Sequence, residues 1–124
     1  MNHLNALFEL LKRRQEAKED SRYDIIEQID YFEDEGCVSV KTKDETTGMY
    51  FVSQIRLVED SEEPRFKYNL RAIFPTDFLG VPDVVGNFIK EDTGDMESVI
   101  EGVLLSFQAY GCIENIFPLF NFSR

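Results

Sequence analysis

Residue types that commonly carry out chemistry are scarce in this chain or badly spaced for it. The one histidine, His3, lies beside the N-terminus. Ser-His-Asp, Cys-His and His-ligated metal chemistries all need an imidazole held by the fold, and a terminal residue is more readily solvated than held. Cys37 and Cys112, the two cysteines, are far apart in sequence. They make neither a zinc spacing nor a disulfide framework, and read as reduced, partly buried thiols. No phosphate-binding glycine pattern of the P-loop or dinucleotide type occurs. The run EDTGDME (91–97) gathers carboxylates but lacks the calcium-loop pattern. Acids there suit a helix N-terminus, with Asp95 as its cap. No metal or cofactor is expected.

Carboxylates are the abundant group: Asp and Glu number 24 against 13 Lys and Arg, for a formal charge of -11. Acid–base catalysis would need some of them buried in a cleft. Most fall in turn sequences, where water reaches them. Glu27 is the exception, because it interrupts the apolar alternation of YDIIEQIDYF (23–32). A nucleophile, a base and an orienting group cannot be assembled, so the chain is read as non-catalytic.

The elements that would position these groups follow from periodicity. Asn2 caps a helix running to about Glu19, with Leu4, Leu7, Phe8 and Leu11 as its apolar stripe. Residues 23–32 fit helix and strand spacing alike; their β-branched and aromatic content favours a strand. EDEG (33–36) is a turn in which Gly36 takes a positive φ. Residues 37–43, 49–58 and 65–74 alternate as an antiparallel meander, the last of these being its final strand. Residues 81–90 read as a short helix with Pro82 in its first turn. Residues 95–111 are a helix with Met96, Val99, Ile100, Val103, Leu104 and Phe107 at three- and four-residue steps, closed by Gly111. The expected fold is α+β: an N-terminal helix, a meander of three or four strands, and C-terminal helices on one sheet face. Its 124 residues fit one domain.

Strand parity also sorts the charges. If apolar faces meet, Leu57 opposes Phe66, Ile55 opposes Tyr68, Phe51 opposes Ala72 and Met49 opposes Phe74. Val40 then opposes Phe51 across the next ladder. Lys41, Lys43, Arg56, Arg65, Lys67 and Arg71 fall together on the other face, with Tyr50 and Val52 among them. Arg56 opposite Lys67 is a like-charge pair that needs compensation. Cations on the solvent face of strands are ordinary, but here they contrast with acidic turns.

Three functional expectations follow. The leading one is a binding protein, an inhibitor or immunity-type neutraliser of a basic protein such as a nuclease. It docks through Glu33, Asp34, Glu35, Glu59, Asp60, Glu62 and Glu63, with complementary charge steering the encounter. The alternative is a small-anion or nucleotide binder, with Lys41, Arg56, Lys67 and Arg71 holding the anion and Tyr50 stacking on a base. A third is an adaptor that oligomerises through its aromatic C-terminal tail, Ile113 to Phe122. The acidic balance disfavours nucleic acid and anionic membranes. The N-terminal apolar residues are spaced as a helix face rather than as a secretory signal, so a cytoplasmic location is expected.

Overall fold

A computed structural model describes residues 2–19, 21–43, 50–58, 63–74 and 84–110, with backbone alone at 74, 84–90 and 110. Asn2 opens α1 (His3–Ala17) by accepting the Leu4 and Asn5 amides on Oδ1 at 2.9 and 3.2 Å. This satisfies donors that the first helical turn cannot. Lys18, at φ 51°, ends the helix in a left-handed cap whose amide donates back to Arg14 and Gln15, two residues before the expected end.

A 3₁₀ turn (Ser21–Ile25) leads into β1 (Ile26–Phe32). A second 3₁₀ turn (Glu33–Glu35) closes on Gly36 at φ 62° and enters β2 (Cys37–Thr42). Strands β3 (Tyr50–Val58), β4 (Arg65–Phe74) and β5 (Val84–Gly94) follow, and α2 (Met96–Tyr110) completes the described order. All five strands form one antiparallel sheet in sequence order. The α+β expectation therefore holds, with one C-terminal helix among the described residues.

Three expectations need correction. Part of the segment expected as a helix, 81–90, belongs to β5 from Val84 onward, and 81–83 lie outside the described residues. Val84, Val85, Phe88 and Ile89 supply the β-branched and aromatic content that a ladder against β4 exploits. The strand 65–74 is thus not the last. The β2–β3 ladder sets Val40 opposite Ser53 and Val38 opposite Ile55, two residues from the expected register. A two-residue slip keeps every side chain on its face, so alternation cannot detect it. In its place Thr42 Oγ1 accepts the Phe51 amide at 2.9 Å.

The β3–β4 register is as expected at Leu57–Phe66, Ile55–Tyr68 and Phe51–Ala72; Met49 lies outside the described residues. Both helices cover the same face, α1 over β1–β3 and α2 over β4 and β5. Leu7, Leu11, Val38, Ile55, Phe66, Leu70, Val99 and Phe107 meet there, all nearly without exposure. Each such side chain contributes about 1.5–3 kcal/mol of transfer free energy. Tyr23 and Ile29 are buried in the same core, but Ile25 is exposed and Ile26 takes its place.

Strand β4 and α2 approach closely at Gly102. A Cβ there would meet the Tyr68 hydroxyl, with ring Cζ at 2.7 Å and Cε1 at 2.9 Å. Tyr68 is 4% exposed, so its ring has little room to retreat. Overpacking of this kind costs about 1–3 kcal/mol, against about 1 kcal/mol gained by placing alanine in a helix interior. Gly102→Ala is therefore expected to lower stability by about 1 kcal/mol in urea denaturation. Combined with Tyr68→Leu it should cost less than the two single changes together. A stabilised Gly102→Ala protein would refute the close approach.

Candidate functional site

Antiparallel topology decides which turns are neighbours. The β1–β2 turn, the β3–β4 connection and the β5–α2 junction all leave the same end of the sheet. The first carries Glu33, Asp34 and Glu35, all exposed. The second carries exposed Glu63; Glu59, Asp60 and Glu62 lie outside the described residues. The third adds exposed Asp92, Asp95 and Glu97. Two strand spacings, roughly 10 Å, separate the first two turns, close to the Debye length of about 8 Å at physiological salt. Their fields therefore overlap. Sequence spacing alone did not bring Asp92 to this end, because its position depends on β5.

The acids at this end have different partners. Asp95 Oδ1 accepts the Ser98 amide at 2.8 Å and caps α2. That bond, a second one with the Ser98 side chain and the charge of Arg65 hold its carboxyl below the usual aspartate range. Glu97 accepts from Arg14 and Glu101 from Arg22, each at 2.8 Å. These exposed pairs tie α2 to α1 and to the 3₁₀ turn before β1, and pairs of this kind contribute about 0.2–1 kcal/mol. The Glu97 hydrogen bond is the main influence raising the Arg14 pKa further. No salt bridge among the described residues engages the Glu33, Asp34 or Glu35 carboxylates.

The opposite sheet face carries the expected cations, but they do not converge on one point. Residues Gln28, Lys41, Val52 and Arg71 make one cross-strand row. Arg56, Lys67 and Thr93 make another. Asn69, between these rows, accepts the Gln54 amide on Oδ1 at 3.0 Å. Lys41 Nζ lies 4.4 Å from the centre of the Tyr50 ring, a cation–π contact that occupies one face of the ring. Arg56 Nη1 donates to the Glu35 carbonyl at 2.9 Å. This is the compensation that the Arg56–Lys67 pair requires, supplied by the backbone of a turn.

Cys37 lies opposite Phe32 at the end of the β1–β2 ladder and is 1% exposed. Burial pushes its thiol pKa up, with Glu35 adding to the rise, against lowering by Arg56 and by a backbone hydrogen bond from Ile55. It is a free thiol; Cys112 lies outside the described residues.

Glu27 is not a buried functional carboxylate. A register shift between Ile26 and Gln28 buries Ile26 and Ile29 and leaves Glu27 and Gln28 exposed. The bulge explains why the segment has helix-like apolar spacing inside a strand.

A cleft of about 540 Å³ opens at the acidic end, lined by Leu4, Leu57 and Val58 with Glu35, Gly36, Arg56 and Lys67. A groove of about 530 Å³ runs between Tyr68, Asp92 and the Glu97–Leu105 flank of α2. Among the described residues, no group of three or more His, Cys, Asp or Glu is placed to hold a metal ion, and no helix is long and apolar enough to cross a membrane. The aromatic tail lies outside the described residues. No family model, curated protein or solved structure matches the chain.

The Asp95 cap has a pH signature. Its folded-state pKa lies below the unfolded value of about 3.9, so its ionised form favours the folded state. That stability is fully present above the unfolded pKa and is lost as pH falls through the depressed folded value. Asp95→Asn should therefore melt lower than the parent at pH 7, with the difference closing as the pH drops below about 4. A difference that persists unchanged down to pH 2 would show that Asp95 does not act through its charge.

Proposed function

We propose that this chain is a non-catalytic binding protein that neutralises a basic protein partner, docking through the acidic end of its sheet. One observation carries the reading: three separate acidic segments leave the sheet at the same end, and the Glu33–Glu35 carboxylates have no salt bridge among the described residues. Arg56 reaches this turn at the Glu35 carbonyl, but the described residues give its carboxylates no bridge of the kind that Glu97 and Glu101 have. Unbridged like charges on a short turn repel one another and weakly oppose folding. They become favourable once a cationic surface arrives.

The binding mode that fits is steered association. A net charge of -11 raises the encounter rate with a basic partner and repels acidic ones. The cleft beside the turn adds apolar Leu57 and Val58, which can supply the desolvated centre that charge alone does not. Arg56 and Lys67 at its wall favour a partner that offers a carboxylate or carbonyl there among its cations. A nuclease, whose substrate-binding surface is cationic, is a partner of this chemistry.

The test is binding to a panel of basic proteins, including ribonucleases and deoxyribonucleases, by surface plasmon resonance at low and high salt. The combined variant Glu33→Lys, Asp34→Lys, Glu35→Lys and Glu63→Lys should bind any captured member at least about tenfold more weakly, mostly through a slower on-rate. Its melting temperature should stay within a few degrees of the parent's. Undiminished binding by that variant would sink the reading.

A further inference from the structure

The β1 edge of the sheet combines three properties. It is an outer strand: β2 pairs with one side, and no described strand pairs with the other. Alternate residues of such a strand direct their N–H and C=O groups away from the sheet. Gln15 of α1 donates to the Ile26 carbonyl at 3.3 Å, so the stretch whose outer side has no described partner runs from Glu27 to Phe32.

The second property is its charge. Between Tyr23 and Gly36 the chain has Asp24, Glu27, Asp30, Glu33, Asp34 and Glu35, with no lysine or arginine. Glu27 is exposed and Asp30 half-buried along the strand, and the three turn acids continue the same edge. The third property is apolar exposure at both ends: Ile25 is 36% exposed and Phe32 44%.

Edge strands are usually guarded by lysine, proline or a covering segment. The stretch Glu27–Phe32 has neither lysine nor proline, no described strand covers its outer side, and its bulge lies at the start. Its guard is negative charge, which turns away a second copy of the same acidic strand and attracts a cationic one. Backbone pairing then supplies the contact, and Ile25 and Phe32 supply apolar anchors for the ends of the added strand.

We infer that the β1 edge is a strand-addition site for an extended, lysine- or arginine-bearing segment of the basic partner, which pairs along Glu27–Phe32 and lies against the acids of the following turn. The inference rests on the reading of the chain as a binder of a basic protein and specifies how that partner is held.

The experiment uses the intact chain and a fluorescein-labelled octapeptide of alternating lysine and valine, read by fluorescence anisotropy. Two further octapeptides carry backbone N-methyl groups on alternate residues, one on the odd set and one on the even. Methylation leaves the charges but removes donors, and only one set faces β1 in a paired strand. One methylated peptide should bind at least about tenfold more weakly and the other like the parent. Glu27→Lys with Asp30→Lys should weaken the parent peptide by about tenfold while the melting temperature is kept.

Equal binding of both methylated peptides would overturn strand addition and leave charge attraction alone, without touching the turn variants that test the binder reading. Absence of any peptide binding would also overturn it. So would a concentration-dependent dimer of the chain alone, seen by sedimentation and broken by the same double variant, because a second copy would then be the occupant.

Discussion

Everything in this fold depends on the two-sidedness of a pleated sheet. Successive side chains of a strand point to opposite faces, so burying Phe66, Tyr68, Leu70 and Ala72 beneath the helices commits Lys67, Asn69 and Arg71 to the other side. A one-residue slip would put two cations into the core, at a cost no packing gain could offset. That constraint fixes the faces, and antiparallel order then fixes which turns emerge together. The shared position of the acidic turns follows from how the core is buried.

Charge is distributed by the same logic. Cations of the N-terminal region, Arg14 of α1 and Arg22 of the 3₁₀ turn, bridge the acids of α2. Cations of the outer face interact with an aromatic ring and a backbone carbonyl. The carboxylates of the β1–β2 turn make no salt bridge among the described residues. In a chain already strongly negative, such concentrated charge is a standing cost in self-repulsion. A cationic partner of the kind proposed would relieve it.

Much of this was legible in the residues. The β3–β4 register, both helices and the Asn2 and Asp95 caps follow from periodicity and from side chains that accept amide hydrogen bonds. The failures have physical causes. Strand β5 escaped detection because a proline beside a short apolar run matches a helix start as well as a strand entry. The β2–β3 register escaped because a two-residue slip leaves every face unchanged. Glu27 looked buried because a bulge, with no sequence mark of its own, shifts the alternation by one residue.

The sequence by itself determined which side chains of β3 and β4 share a face and where the helices begin. These properties are local, set by the period of the backbone and by neighbours a few residues away. Only the tertiary structure decided which turns share an end, which acids are bridged, and which strands are outermost among the described residues. Those depend on strand order and on contacts such as Arg14 with Glu97, made between residues far apart along the chain. No local spacing encodes them; they emerge only once one face of the sheet is buried.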